Sequence, residues 1–216
     1  MKNENKTMQN DLTEIVFILD RSGSMAGFEE DTIGGFNAAM AEQREKEGKV
    51  LVSTLLFDDE TWVLHDRLAL EKIPVMTKKD YRVRGCTALL DAIGGAIHHI
   101  GNVHKYARPE DVPGRTLFLI TTDGQENASH HYDSDTVKKM IERQREKYGW
   151  EFIFLAANID AVETARSMGI REDRAYSYEQ NPTEVRANYE RMCKAITSVR
   201  RRESLDDGNW KKEEER

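Results

Sequence analysis

Asp20, Ser22 and Ser24 occupy every second position of "DRSGS", where the apolar run Ile15 to Leu19 ends. A two-residue period, with Gly23 allowing a tight turn, aims three oxygen donors into one small volume. Two further segments offer oxygen donors in comparable settings. "RVRGCTALLDAIGGAI" places Thr87 just after Gly85 at the start of a helical pattern, and "TLFLITTDGQEN" ends an apolar run on Thr122, Asp123 and Gly124. Two carboxylates and three hydroxyls form an all-oxygen set of low charge. That chemistry suits a hard divalent cation that keeps part of its water: Mg2+ first, with Mn2+ and Ca2+ compatible. It disfavours zinc, which takes nitrogen and sulfur.

The elements that must position these groups follow from hydrophobic patterning. Ile15 to Leu19, Val50 to Phe57, Leu117 to Ile120 and Phe152 to Ala157 are near-continuous apolar runs, the pattern of parallel strands covered on both faces. In Trp62 to Leu70, by contrast, Trp62, Leu64, Leu68 and Leu70 alternate with Val63, His65 and Arg67. This predicts a half-exposed edge strand, antiparallel to its predecessor through the turn "DDE". Helical periodicity links Leu90, Ile93, Ile97 and Ile100, and again Val137, Met140, Ile141 and Tyr148. Asp160 with Glu163 predicts a helix start and Gly169 its stop. Asn181, Pro182 and Glu184 supply N-cap, N1 and N3 of a last helix that buries Val185, Tyr189, Met192 and Ile196. Strands alternating with helices give an α/β domain with a mostly parallel sheet, and ligands of such sheets sit beyond the carboxyl ends of the strands.

Bulk properties bound the function. The chain has 216 residues, 38% of them hydrophobic, enough for one sizeable domain. A charged fraction of 33% and a formal charge of -7 describe an acidic, well-solvated surface that repels phosphate backbones and anionic lipid headgroups, so neither nucleic acid nor membrane is expected as a partner. "MKNENKTMQNDLTE" has no apolar leader core, and the apolar runs fall far short of the roughly 20 residues of a membrane helix. Cys86 and Cys193 lie far apart without metal-ligand spacing, which reads as two reduced thiols. Together these point to a cytoplasmic protein. Residues 1–11 and 203–216 are charge-rich and read as tails flanking a domain over residues 12–202.

"DRSGS", "GCT" and "TTDG", in this order and at these strand ends, resemble the metal-ion-dependent adhesion site (MIDAS) of von Willebrand factor type A (vWA) domains, and the likeness runs from the first strand to about residue 200. The resemblance implies a Rossmann-like, doubly wound sheet of about six strands with one antiparallel edge and helices on both faces, in a bacterial stand-alone protein. It implies Ser22, Ser24 and Thr87 as hydroxyl ligands, with Asp20 and Asp123 ligating directly or through water. It also implies an open coordination position filled by an acidic side chain of a partner protein, the metal itself being non-catalytic. Two carboxylates leave Mg2+ roughly neutral yet Lewis-acidic, so an incoming Asp or Glu still gains a strong contact.

Other readings exist for each residue. Asp20, Ser22, Ser24 and Thr87 are all good helix caps, and Asp123 with Gly124 suits a turn; only their coincidence favours a metal. His130 and His131 are expected on the rim of the Asp123 loop, His98 and His99 on a helix, His104 on its apolar stripe, and Cys86 as a small packed side chain. Arg82 and Arg84 would steer an acidic partner or form a solvated strip. Gly34, Gly35, Gly94 and Gly95 hint at close packing of helices on the sheet. Ser24-Met25-Ala26 superficially matches the nucleophile segment of subtilisin-like proteases, but no suitable His and Asp contexts accompany it. A metal-dependent hydrolase of the haloacid-dehalogenase type using Asp20 wants a second carboxylate where Ser22 stands, and no P-loop follows any strand. Within the binding class, an adaptor and a regulatory subunit of an AAA+ ATPase or stress-response assembly remain open.

Overall fold

The computed structural model describes residues 11–212, and its six strands run β1 (Thr13–Asp20), β2 (Val50–Phe57), β3 (Thr61–Ala69), β4 (Arg115–Thr122), β5 (Glu151–Ala157) and β6 (Ala175–Tyr178). They form one sheet in the order β3-β2-β1-β4-β5-β6. All neighbours are parallel except β2 and β3, which pair antiparallel with register shifts around Thr54. The helices are α1 (Glu29–Arg44), α2 (Leu89–Tyr106), α3 (Ser134–Tyr148), α4 (Ala161–Ser167) and α5 (Pro182–Arg200). This is the expected Rossmann-like arrangement, with strand order reversing on either side of β1.

Every residue of β1 is buried, because alternate side chains enter different cores. Ile15, Phe17 and Leu19 pack with residues of α1 and α5, while Val16 and Ile18 pack with residues of α2, α3 and α4. That two-sided burial is why the run reads as continuously apolar rather than alternating. β3 has a single neighbour, as expected of the edge strand, but the expected alternation is not kept: Trp62, Val63 and Leu68 are exposed while His65 is buried, where the register shifts around Thr54. The predicted caps form: Asp160 Oδ1 accepts from the Val162 and Glu163 N–H groups, and Asn181 Oδ1 accepts from Glu184 N–H at 2.9 Å. Val185, Tyr189, Met192 and Ile196 are buried on α5 as expected, whereas Tyr148 at the end of α3 is exposed.

Three expectations change. The segment after residue 202 is not a loose tail: Leu205 and Trp210 are buried against the α5 core, Arg174 pairs with Asp206 at 2.6 Å, and Lys211 Nζ donates to the Ala175 carbonyl. The expected tail at 1–11 lies outside the described residues except for Asp11. Gly35 and Gly94 do admit close packing, but against Tyr189 of α5 and Tyr132 of a loop rather than against the sheet, and Gly34 and Gly95 face open space. Cys86 is exposed rather than packed, and both cysteines are free thiols. Among the described residues no helix is long and apolar enough to cross a membrane.

Candidate metal centre

Parallel pairing places the last residues of β1 and β4 side by side at the point where strand order reverses, with Leu19 opposite Thr121 and Asp20 opposite Phe57 of β2. The chain leaving β1 turns at once. Arg21 N–H donates to the Phe57 carbonyl at 2.8 Å, Ser22 N–H donates to Asp20 Oδ1 at 2.7 Å, and a 3-10 turn follows at Gly23–Met25. The second Asp20 oxygen accepts from Thr122 Oγ1 at 2.6 Å, and its carbonyl accepts from the buried Tyr81 hydroxyl. Ser22 and Ser24 hydroxyls lie 3.1 Å apart, and Ser24 Oγ donates to Asp123 Oδ1 at 2.6 Å.

Thr87 arrives from the loop before α2. Gly85 there has φ +67, and a Cβ on it would fall 1.9 Å from Asp59 Oδ1, so glycine is required. Gly85 accepts from Gly23 N–H at 3.1 Å, tying the first loop to the second. Thr87 N–H donates to Asn127 Oδ1 at 2.9 Å, and Asn127 N–H returns a bond to the Thr87 carbonyl. A Cβ placed on Gly124 would stand 3.6 Å from both Ser24 Oγ and Thr87 Oγ1. The two hydroxyls therefore flank a small space beside the Asp123 loop that a side chain at 124 would fill. All five expected residues, Asp20, Ser22, Ser24, Thr87 and Asp123, thus lie on three loops knitted together by hydrogen bonds at one end of the sheet.

The electrostatics are unbalanced. Asp20 and Asp123 are buried, and among the described residues neither forms an ion pair. Desolvation pushes the Asp20 carboxyl up to about 6, against hydrogen bonds from Thr122 and Ser22 that pull it down, and the nearby Asp123 charge adds to the rise. Asp123 is raised for the same leading reason. Asp58, equally buried at the end of the neighbouring strand β2, behaves otherwise. Burial raises it too, but hydrogen bonds from Arg84 and the Glu60 N–H and the charges of Arg21 and Arg84 hold it below the ordinary carboxylate value. Two carboxylates without compensating charge, beside three hydroxyls and a glycine-lined space, fit an oxygen-ligated cation. Among the described residues no three His, Cys, Asp or Glu side chains gather as a ligand cluster, so any ion here would rely on the hydroxyls.

Several participants carry no recognisable sequence signal. Gln180 Nε2 donates to the Ser24 carbonyl at 3.0 Å and to Asp123 Oδ2; Asn158 Nδ2 holds the Gln180 amide oxygen at 2.6 Å. Asn158 has φ +57, a left-handed conformation that asparagine tolerates better than most residues. Arg84 is engaged by Asp58 and Glu60 rather than free, while Arg82 is exposed. His130 and His131 sit outside the oxygen cluster; their N–H groups donate to Asp91 at 2.9 Å. His104 contacts Glu14 at the other end of the sheet.

No protein-family model and no curated protein matches the chain. Solved structures do. Proximal thread matrix protein 1 of the mussel byssus superposes on 87% of this chain with a TM-score of 0.56 and 13% identity, using 47% of its own length. A von Willebrand factor type A protein from Catenulispora acidiphila covers 85% with a TM-score of 0.53 and 12% identity, using 42% of its length. The ArnB paralog VWA2 from Sulfolobus acidocaldarius covers 90% with a TM-score of 0.51 and 16% identity, using 46% of its length. The chain thus spans less than half of each neighbour, and the six-stranded sheet, its single antiparallel edge and its two helical layers are those of the vWA fold.

Proposed function

We propose that the chain is a non-catalytic protein-binding module that holds Mg2+ at a MIDAS and offers the ion to an acidic side chain of a partner protein. The observation that carries this reading is the pair of buried carboxylates, Asp20 and Asp123, lacking any ion pair among the described residues beside the Ser22, Ser24 and Thr87 hydroxyls. Ser22, Ser24 and Thr87 would ligate the ion, with the two aspartates ligating directly or through water. The bound ion would supply an electrophilic point of attachment. With only two carboxylates near it, enough attraction is left for an incoming Asp or Glu.

A hydrolase using Asp20 as nucleophile is less well supported. Such a nucleophile wants a second carboxylate two residues on, where this chain has Ser22, its hydroxyl 3.1 Å from that of Ser24. The test is affinity capture in Mg2+ or in EDTA, using the wild type and an Asp20→Ala/Ser22→Ala variant. Partners should appear only with wild type in Mg2+; the same partners in all four samples would refute metal-mediated binding. Turnover of p-nitrophenyl phosphate that disappears in Asp20→Asn would overturn the non-catalytic reading.

A further inference from the structure

The opposite end of the sheet holds a cavity of about 460 Å3 between α2, α3 and the amino ends of β4 and β5. Much of its wall is apolar: Ile97 from α2, Met140 from α3, Pro113 before β4 and Trp150 before β5. Trp150 is buried, stacked on Phe118 at 5.3 Å and edge-on to His104 at the same distance. Gly101 lines the cleft between the helices, where a Cβ would make ordinary contact, 3.4 Å from Gln144 Nε2 and 4.0 Å from the Trp150 ring, and a longer side chain would occupy the space.

Every ionisable group lining the cavity, apart from the Tyr148 phenol, is basic: His98, His104, Lys105 and Arg143. This is conspicuous on a chain of formal charge -7. His104 is held by the buried carboxylate of Glu14. Lys105 and Arg143 make no ion pair among the described residues. Lys105 lies over the Tyr106 ring. Several other surface arginines are engaged by acids, as Arg108 is by Asp111, Arg166 by Glu172 and Arg171 by Asp173.

We infer that this cavity binds a small planar aromatic anion, its ring against Trp150 and Met140 and its acid group at Lys105 and Arg143. The volume falls within the range of small-molecule sites, and apolar walls with a few convergent polar groups are their usual composition. Cations without an acidic partner supply charge-assisted hydrogen bonds, which are strongest to an anionic acceptor. The site is separate from the Asp20 loops, so its occupancy does not depend on a divalent ion.

The test uses the fluorescent probe 1-anilinonaphthalene-8-sulfonate with the full chain, and N-phenyl-1-naphthylamine as the uncharged counterpart. Saturable one-to-one binding of the sulfonate is expected, unchanged by EDTA. Binding should weaken by about tenfold or more in Lys105→Glu/Arg143→Glu, and the uncharged analogue should bind about tenfold or more weakly to the wild type. Gly101→Leu should abolish binding by filling the cleft. The charge-reversed side chains are exposed, so that variant folds even if Gly101→Leu does not. Absence of saturable binding, equal affinity for the two probes, or undiminished affinity in the charge-reversed variant overturns the inference.

Discussion

Ser24 Oγ donates to Asp123 Oδ1 across 2.6 Å, joining residues 99 positions apart in the chain. This bond closes the candidate metal centre from the side of β4, and it leaves the Asp123 carboxylate buried with no cation among the described residues beside it. An unpaired buried carboxylate destabilises the fold unless an ion or a proton neutralises it.

Asp123→Asn is therefore expected to melt at or above the wild-type temperature in EDTA, because it removes the uncompensated charge and keeps the shape. Mg2+ at about a hundred times its dissociation constant would stabilise the wild type by ~2.7 kcal/mol and leave the variant unmoved. Differential scanning calorimetry with and without Mg2+ checks both. An Mg2+-dependent rise of equal size in the two proteins would remove Asp123 from the site.

The paired glycines of α1 behave as opposites. Gly34 is exposed, and a Cβ added there would meet no other atom within 4 Å, so Gly34→Ala should gain ~0.5–1 kcal/mol from helix propensity. At Gly35 an added Cβ would fall 2.2 Å from the Tyr189 ring. Gly35→Ala must therefore push α1 and α5 apart, at a cost of ~1–3 kcal/mol. Urea midpoints of the two variants that move in the same direction would disprove the close helix contact.

Much of this was legible in the chain because burial is two-sided. β1, β2, β4 and β5 lie between two helical layers, so their runs are near-continuously apolar, and Asp20 and Asp123 stand where the β1 and β4 runs stop. β6 is four residues, Ala175–Tyr178, carrying Ser177 outward; so short and mixed a segment has no periodicity to detect. Leu205 and Trp210 are single apolar residues among charges, and nothing local signals that both are buried. Gln180 reaches Asp123 over 57 positions and Thr122 reaches Asp20 over 102. Contacts of that span arise from the fold, not from local spacing.

His65 titrates against the fold. It is buried on β3, 3.0 Å from Thr54 Oγ1 and stacked over Phe36, and burial lowers its pKa from 6.5 despite an opposing pull from Asp80. The unfolded chain then takes up the proton at higher pH than the folded one. The stability this group contributes is complete above pH 6.5 and declines on acidification towards the lower folded value, with a slope of at most ~1.4 kcal/mol per pH unit. His65→Gln should lose that component, so the stability difference between wild type and variant should shrink from pH 8 to pH 5 in chemical denaturation. A difference that stays constant or grows on acidification would exclude His65 as its source.

The buried Trp210 makes the C-terminal segment part of the core. Its ring enters the cluster containing Val185, Tyr189 and Met192, and the surrounding chain is fastened by Arg174 to Asp206 and by Lys194 Nζ to the Lys212 carbonyl at 2.8 Å. Removing a buried tryptophan leaves a large cavity, so Trp210→Ala should cost ~3–5 kcal/mol. Ending the chain after Arg202 should cost at least as much, since it also removes the buried Leu205 and leaves the nearly fully buried Arg174 guanidinium with Glu151 and Asp173 but without Asp206. Equilibrium urea unfolding monitored by circular dichroism measures both. If the shortened chain keeps the wild-type midpoint, the segment is an appendage; a midpoint that falls with Trp210→Ala and again on shortening assigns the extra loss to Asp206 and its neighbours.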